Sequence, residues 1–205
     1  MPRRPDMPPL LRSALANDPI DQFRDWYERA EREVALPHAM TLATVDADGA
    51  PDARMVLLKG FAAEAFRFFT NLSSAKARQL EATPRAALVL YWRELDRQVR
   101  VRGPAEQLPE AASDEYFASR PRDSQIGAWA SPQSESLPER ATLDARVDEV
   151  ERRFSAGEVP RPAFWGGYAL RPEQIEFWQG QTGRLHDRFL YTREGEGWRI
   201  ERLAP

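Results

Sequence analysis

The chain has 205 residues, a formal net charge of -3 and no cysteine. This length favours one domain with a substantial apolar core, and the lack of cysteine excludes disulfides, thiolate metal sites, iron-sulfur clusters and a thiol nucleophile. With only His38 and His186, a zinc site is not expected, and the slightly acidic charge without a basic stripe argues against nucleic-acid binding.

The N-terminal residues 1–17 are rich in proline and arginine and contain no apolar run long enough for a signal peptide or a membrane span. We expect them to form a flexible arm, with residues 18–205 forming a single domain. The same pattern predicts a cytoplasmic protein that has no membrane association.

The first predicted element of the domain is a helix. Asp18 caps it, Pro19 lies in its first turn, and apolar residues recur at helical spacing as far as Val34. Alternating residues then predict a hairpin with strands at 40–45 and 51–59. A third strand at 66–70 leads through polar capping residues into a short helix at 75–82.

The second half of the chain is predicted to return to strands after three helices. The apolar run at 86–92 predicts a strand buried on both faces, and alternation predicts the next strand at 97–108. Helices are predicted at 109–117, 123–129 and 138–154, and closing strands at 164–170, 175–179, 184–192 and 198–203. Hairpin connections with inserted helices indicate a mainly β protein, an antiparallel barrel with peripheral helices, rather than a doubly wound sheet.

Two clusters of cationic and hydroxyl residues are candidate phosphate sites, because no GxGxxG fingerprint or Walker loop is present. Thr70, Ser73, Ser74 and Lys76 lie at a strand-to-helix junction, where helix amides, hydroxyls and a lysine suit a phosphate monoester. Ordinary helix capping explains the same residues equally well. The second cluster has four-residue spacing and consists of Tyr116, Arg120 and Ser124.

Arg54 and Lys59 are cations at the two ends of an apolar strand, a pattern that also occurs around ordinary core strands. Lys59 and Lys76 are the only lysines among 29 basic residues. Retention of lysine at both positions favours a need for a compact point charge there, although codon bias produces the same shortage.

The stretch from Phe177 to Phe189 reads FWQGQTGRLHDRF. In an extended strand Arg184, His186 and Arg188 would share one face, which suits a planar anionic ligand beside the ring of Trp178. A surface hairpin with solvated arginines is the alternative. Amide and hydroxyl groups that could read the edge of a heterocycle are offered by Gln98, Gln133 and Ser134.

Several motifs together resemble the pyridoxamine 5'-phosphate oxidase family. They are RMVLLK at 54–59, FTN at 69–71 followed by Lys76, DRQV at 96–99, SRPRDSQIGAW at 119–129, QSE at 133–135, FWGGY at 164–168, IEFWQG at 175–180 and RLHDRFLY at 184–191. The resemblance extends in order from about residue 18 to Pro205.

The resemblance implies an FMN-binding split β-barrel that is a homodimer with FMN in clefts between the subunits. It implies oxidation of pyridoxine 5'-phosphate or pyridoxamine 5'-phosphate to pyridoxal 5'-phosphate, with hydride passing from C4' to flavin N5 and O2 reoxidising the flavin to give H2O2. The implied FMN contacts are Arg54, Met55, Val56, Leu57, Leu58, Lys59, Phe69, Thr70, Lys76, Gln98, Gln133, Ser134, Trp178 and Arg188. The implied substrate-phosphate residues are Lys59, Tyr116, Arg120 and Ser124, and Arg184 and His186 are implied to bind the substrate ring and act in catalysis.

The chain departs from the family pattern at two places. Ala75 stands where the family commonly has an arginine, which removes one cation from the FMN phosphate, and we find no Arg-Arg-Glu-Tyr-like segment within residues 1–17. Three alternatives are a related flavin oxidase acting on another ring, such as a phenazine precursor, a non-catalytic flavin or pyridoxal-phosphate binding protein, and a purely structural barrel. The four substrate-phosphate residues favour the vitamin substrate, and oxygen consumption would separate an oxidase from a binding protein.

Overall fold

Antiparallel strands form the centre of the molecule. The computed structural model describes residues 8–61 and 65–205. Within these ranges the strands are β1 Ala39–Val45, β2 Pro51–Leu57, β3 Phe66–Asn71, β4 Arg85–Trp92, β5 Arg97–Gln107, β6 Trp165–Leu170, β7 Gln174–Gln179, β8 Asp187–Glu194 and β9 Gly197–Leu203.

The long strand β5 joins two parts of the sheet and so defines the split barrel. The main path runs β2-β1-β4-β5-β7-β8-β9, while β3 and β6 pair with each other beside it. The first part of β5 pairs with β7 and its last residues, Ala105 to Gln107, pair with β6. Gly103 lies between the two pairings, where a Cβ atom would be 1.9 Å from the carbonyl oxygen of Arg171. A glycine is therefore required for the close approach at which the sheet divides.

Five helices lie around the sheet in the described part of the chain: α1 Pro19–Glu33, α2 Ala75–Ala82, α3 Glu110–Ala118, α4 Arg122–Ala130 and α5 Arg140–Arg153. The carboxylate of Asp18 accepts a hydrogen bond from the Ile20 amide at 2.6 Å and so caps α1 as predicted. Phe23 on α1 is fully buried and contacts the rings of Phe61 and Phe66 edge-on at 4.9 Å. No helix of the described residues is long and apolar enough to cross a membrane.

Helices α3, α4 and α5 form a second, smaller core against β6. Its buried members are Phe117, Ile126, Val159 and Trp165. The helical conformation is interrupted between α3 and α4 at Arg120 and Pro121, so the predicted cluster of Tyr116, Arg120 and Ser124 does not lie on one continuous helix. This small core fixes α3 and α4 beside the junction of β3 and β6.

The structure confirms the predicted fold class but corrects two strands. The strand predicted at 184–192 begins at Asp187, because a 3-10 turn occupies Thr182–Arg184 and both Gly183 and Arg184 have positive φ angles. The prediction that Arg184, His186 and Arg188 share a strand face was therefore wrong. Strand β4 is not buried on both faces, since Tyr91 is 54% exposed.

The described part of the N-terminal arm is packed onto the barrel, unlike the flexible arm expected over residues 1–17. Leu10 and Leu15 are buried in the main core, and the Tyr191 hydroxyl donates to the Ala16 carbonyl at 2.8 Å. Residues 1–7 of the expected arm lie outside the described residues. The division of the chain at residue 17 remains a prediction.

The buried carboxylate of Asp187 connects this segment to the β7–β8 connection. It accepts hydrogen bonds from the Leu10 amide at 2.8 Å, from Gln181 Nε2 at 2.8 Å and from Arg202 Nη1 at 2.6 Å. Arg202 Nη2 also donates to the Leu10 carbonyl at 2.6 Å. Burial raises the pKa of Asp187, but these hydrogen bonds outweigh it and hold that pKa below its usual range.

We expect Asp187→Asn to lower the free energy of unfolding at pH 7 by about 1 to 3 kcal/mol, because the hydrogen bonds to Asp187 lose their charged acceptor. Since the folded-state pKa of Asp187 is depressed, its contribution is complete above the ordinary carboxyl pKa of about 3.9 and disappears as pH falls through the folded value. Urea unfolding should therefore show that the difference in free energy of unfolding between wild type and variant is smaller at pH 3 than at pH 7. Asp144→Asn, in an exposed ion pair with Arg140, is the control; an equal gap at both pH values contradicts the prediction.

Candidate functional site

A cavity of about 340 Å³ lies between strands β2, β3 and β6 and helices α2, α3 and α4. Its lining combines apolar strand residues, aromatic rings, amides and cations. The lining residues are Met55, Val56, Leu57, Lys59, Phe69, Thr70, Asn71, Lys76, Tyr116, Arg120, Gly127, Ala128, Ser131, Gln133 and Trp165.

Three cations line this cavity: Lys59, Lys76 and Arg120. Among the described residues none of the three has a carboxylate within 4.0 Å, although many arginines elsewhere are paired with acids. Both lysines of the chain are in this group. A cavity with unpaired positive charge and hydrogen-bond donors is suited to an anionic ligand.

Lys76 is the most constrained of these cations. It lies in the first turn of α2 and is only 8% exposed, and its Nζ donates to Gln133 Oε1 at 2.8 Å and to Thr70 Oγ1 and Ser74 Oγ at 3.2 Å. Burial, assisted by the nearby charge of Arg54, lowers the pKa of Lys76 from 10.5 to about 8. Lys76 and the N-terminal end of α2 thus give one end of the cavity a concentrated positive potential.

Aromatic rings form one wall of the cavity. Phe69, Tyr116 and Trp165 form a cluster of nearly parallel rings: Phe69 is 4.1 Å from Tyr116 and 5.3 Å from Trp165 between ring centroids, and Tyr116 and Trp165 are 6.1 Å apart. A Cβ atom on Gly167 would come within 2.6 Å of the Phe69 ring. The glycine after Trp165 and Gly166 therefore leaves the space in which this stack is built.

Arg120 and Lys59 lie against aromatic faces instead of acids. The Arg120 Cζ atom is 4.7 Å from the Trp165 ring centroid, and Lys59 Nζ is 5.9 Å from that of Tyr116. Burial lowers the pKa of Arg120, and its Nη1 atom is buried without a hydrogen-bond partner in the structure. An unsatisfied buried donor beside a cavity marks a position where a ligand oxygen is expected.

Most residues predicted to bind FMN or the substrate phosphate line this one cavity: Met55, Val56, Leu57, Lys59, Phe69, Thr70, Lys76, Tyr116, Arg120 and Gln133. Ser134 lies beside it, with Oγ accepting from the Ala75 amide at 3.1 Å. Ser124 lies in the first turn of α4, outside the lining. Leu58 is buried in the main core, and Arg54 pairs with Asp52 at 2.5 Å and donates to Gln79.

The remaining predicted residues form a second group. Gln98, Trp178 and Arg188 are directly paired across β5, β7 and β8, so they form a row on one face of the sheet. Arg188 donates to Glu176, and the Trp178 and His186 rings are 4.6 Å apart. His186 Nδ1 accepts from the Gln181 amide at 3.1 Å, whereas Arg184 is exposed in its 3-10 turn.

On the main path of the sheet, β2, which carries part of the cavity lining, is well separated from the strands that carry the second group. β2 is separated from β5 by three steps in the strand order and from β8 by five. At about 4.8 Å per step, these separations are about 14 Å and 24 Å. None of the second group lines the cavity.

Sequence reasoning did not select five lining residues: Asn71, Gly127, Ala128, Ser131 and Trp165. Asn71, Gly127, Ala128 and Trp165 belong to motifs that carried the resemblance, but their residue types do not by themselves indicate a ligand. Trp165 could have been found from its place before two glycines on a closing strand. That pattern indicates a ring packed close to a neighbouring backbone or ring.

Comparison with known proteins gives consistent matches over nearly the whole chain. A family model described as pyridoxamine 5'-phosphate oxidase matches residues 27–154, and one described as the pyridoxine 5'-phosphate oxidase C-terminal dimerisation region matches residues 165–205. The chain is 58% identical over 189 residues to the pyridoxine/pyridoxamine 5'-phosphate oxidase of Rubrobacter xylanophilus, covering 92% of this chain and 87% of that protein. It is 55% identical over 200 residues to the protein of the same name from Anaeromyxobacter dehalogenans, covering 96% and 100%.

Solved structures agree on the architecture. PhzG from Burkholderia lata, in complex with tetrahydrophenazine-1-carboxylic acid, superposes with a TM-score of 0.88 at 32% identity, covering 96% of this chain and 98% of that one. A pyridoxamine 5'-phosphate oxidase-related, FMN-binding protein from Nostoc punctiforme superposes with a TM-score of 0.75 at 20% identity, covering 93% and 100%, and supports the fold alone.

The divided antiparallel sheet is that of a split barrel, and the family matches make the chain an FMN-binding protein of the oxidoreductase class. The chain belongs to the pyridoxamine 5'-phosphate oxidase family.

In flavin-free protein, we expect Lys76→Met to change how stability depends on pH. Because the folded-state pKa of Lys76 is about 8 and its ordinary value is 10.5, the unfolded chain binds more protons between these values. The wild type should therefore gain stability relative to the variant as pH rises from 8 to 10.5. Chemical denaturation across this range measures the difference, with Arg78→Met on the same helix as control. Parallel wild-type and Lys76→Met curves would contradict the assignment.

Proposed function

We propose that this chain is a pyridoxal 5'-phosphate synthase. It uses FMN and O2 to oxidise pyridoxine 5'-phosphate, or pyridoxamine 5'-phosphate with water consumed and ammonia released, to pyridoxal 5'-phosphate and H2O2. The observation that carries this proposal is the single cavity in which Lys59, Lys76 and Arg120 lie unpaired with acids beside an aromatic wall. The names of relatives that are 50 to 58% identical support the same activity.

The residues present fit FMN. A flavin phosphate needs a cation with hydroxyl and amide groups around it, which Lys76, Thr70 and Ser134 supply at the N-terminal end of α2. The family's arginine is replaced by Ala75, but Arg54 lies near enough to Lys76 for its charge to lower the lysine pKa. Arg54 is itself paired with Asp52 and does not line the cavity, so Lys76 is the cation assigned to the flavin phosphate. The apolar face of β2 and the Phe69 ring provide surface for the flavin ring.

Substrate binding is assigned to the other cations. Lys59, Tyr116 and Arg120 face the same cavity, with Ser124 on the adjoining helix turn, and together they would hold the substrate phosphate. Two cations and two hydroxyl groups match the hydrogen-bonding capacity of a phosphate monoester. The pyridine ring of the substrate would then be oriented by Arg184 and His186, which do not line the cavity of the same chain.

FMN, when bound, supplies the acceptor for the hydride that leaves C4' and passes both electrons to O2. Arg184 would orient the substrate ring against the flavin and stabilise the charge that develops during hydride transfer. His186 receives a hydrogen bond at Nδ1 from the Gln181 amide, so its neutral ring carries its proton on Nε2. That Nε2–H group can donate to a substrate oxygen.

A homodimer would bring the two groups together. The second group lies about 14 to 24 Å from β2 along the sheet, and residues 165–205 match a region described by its role in dimerisation. Met55, Leu57 and Tyr91 are large exposed hydrophobic side chains, and Met55 and Leu57 line the cavity as well. Such a surface is suited to burial against a second copy. In this arrangement Gln98, Trp178, Arg184, His186 and Arg188 of one subunit complete the cavity of the other.

A phenazine-type oxidase is the second candidate, favoured by the superposition with PhzG. Lys59 and Arg120 favour the phosphorylated vitamin as substrate. They are available for a substrate phosphate because the flavin phosphate is assigned to Lys76. The relative with the highest identity among those described above also carries the vitamin-oxidase name.

An anaerobic flavin spectrum tests the reaction. The FMN-reconstituted protein should lose its visible flavin absorbance when pyridoxine 5'-phosphate is added and regain it in air with formation of H2O2. Pyridoxine without phosphate, at the same concentration, is the matched control and should reduce the flavin much more slowly. Flavin that is bound but stays oxidised with both phosphorylated vitamers would reject the proposed reaction and favour a binding protein or another ring substrate.

Mixing two inactive variants tests the shared site. Lys59→Ala damages the cavity and Arg184→Ala damages the second group, so each homodimer should have little activity. After dissociation and reassociation at equal amounts, half of the dimers are mixed and each contains one intact site, so about a quarter of wild-type activity should return. Mixing two cavity variants, Lys59→Ala and Arg120→Ala, is the control and should restore none. No recovery in the first mixture, despite exchange of subunits, would contradict a site built from both chains.

A further inference from the structure

Arg120 is held in an unusual environment for a half-buried arginine. Its guanidinium has no carboxylate partner among the described residues, its Nη1 atom is buried without a hydrogen bond, and burial lowers its pKa. The contacts that hold it are aromatic: Cζ is 4.7 Å from the Trp165 ring centroid and 5.4 Å from that of Phe117. Its position is therefore set by ring faces, while its N–H donors stay available.

Trp165 is itself fixed from several sides. It is the first residue of β6, is 6% exposed, and is stacked on Phe69 and contacted edge-on by Phe117 at 5.1 Å. Its carbonyl oxygen accepts from Arg161 Nη1 at 2.7 Å, and Arg161 is paired with Asp114 on α3. Trp165 is thus held through its ring by Phe69 and Phe117 and through its backbone by β6 and Arg161, which makes it a rigid support.

We propose that Trp165 is a positioning residue that presents Arg120 to the phosphate group of the substrate. This inference rests on the function proposed above. A carboxylate in place of the ring would also hold Arg120, but it would occupy the N–H groups and neutralise the charge that the phosphate needs. The indole face supports the guanidinium through a cation-π contact and leaves its donors free.

The arrangement predicts selectivity for a phosphorylated ring. The unsatisfied Nη1 atom of Arg120 is a buried donor that a phosphate oxygen would satisfy. A ligand without the phosphate leaves this donor unpaired, so Trp165 contributes to discrimination between the phosphorylated and free vitamers. Because the phosphate is a binding group and takes no part in the bond changes at C4', the effect should be on substrate affinity and not on the chemical step.

The test uses the FMN-loaded enzyme and three tryptophan variants. Trp165→Leu removes the ring, and Trp165→Phe keeps a smaller aromatic face. Trp198→Leu is the matched control, because Trp198 on β9 makes a similar contact with Arg193 on β8, away from the cavity. For Trp165→Leu we expect KM for pyridoxine 5'-phosphate to rise about five- to thirtyfold with kcat within about twofold of wild type. For Trp165→Phe we expect a rise of about two- to threefold, and for Trp198→Leu an unchanged KM.

A double-mutant cycle with Arg120→Ala separates positioning from general structure. If Trp165 acts through Arg120, Trp165→Leu should raise KM in the wild-type background but not further in the Arg120→Ala background. Equilibrium dialysis with pyridoxal 5'-phosphate should give the same pattern without turnover. Equal increases in KM in both backgrounds, or an unchanged KM in folded Trp165→Leu, would overturn the proposal.

Two controls keep this test distinct from that of the reaction itself. If the wild-type enzyme does not oxidise pyridoxine 5'-phosphate, the proposed function fails, and the dialysis cycle with pyridoxal 5'-phosphate still decides the role of Trp165. If Trp165→Leu does not fold, Trp165→Phe provides the test. An unchanged KM and an unchanged dissociation constant for pyridoxal 5'-phosphate in that folded variant would overturn the proposal. Loss of FMN affinity in the variants with KM unchanged would likewise overturn it, because it would place the ring with the flavin.

Discussion

Unpaired positive charge in one cavity is the constraint on which the rest of the structure depends. Lys59, Lys76 and Arg120 lie there without carboxylate partners among the described residues, although the chain as a whole is slightly acidic and pairs many of its arginines. Burying or crowding such charges is unfavourable for folding, as the lowered pKa values of Lys76 and Arg120 indicate. Hydroxyls, amides and ring faces hold these cations in place, and none of these supports neutralises the charge. The protein is thereby prepared for anions before any ligand arrives.

The fold supplies this arrangement by dividing the sheet. Because β5 pairs with β7 along its first part and with β6 at its end, β3 and β6 diverge from the main path and leave a gap that α2, α3 and α4 border. Each bordering element brings one kind of support: the first turn of α2 carries Lys76, the end of α3 carries Tyr116, and β6 carries Trp165. Gly103 and Gly167 are the positions where the divided sheet and the ring stack allow no side chain.

Much of this could be predicted from the sequence, and the failures have physical causes. Period-two and helical patterns located the hairpin, α1 and β5, and Asp18 marked the start of α1, since these signals are local. The prediction that Arg184, His186 and Arg188 share one strand face failed because Gly183 and Arg184 adopt positive φ angles. An alternating sequence pattern does not reveal such backbone angles. Trp165 was missed because its role depends on Phe69, Tyr116 and Arg120, which lie far from it in sequence. The packing of Leu10 depends on Asp187, near the other end of the chain.

Asp187 links the second group of predicted residues to the N-terminal segment. It lies between His186 and Arg188, and its carboxylate receives hydrogen bonds from the N-terminal segment, from Gln181 and from Arg202. Gln181 in turn donates its backbone amide to His186, so the ring orientation of the histidine and the anchoring of Leu10 share one buried carboxylate. The exposed turn that carries Arg184 is thus fixed at its base and free at its tip. That combination suits a group that must meet a ligand held mainly by a different surface, because the base sets the direction while the tip retains room to adjust.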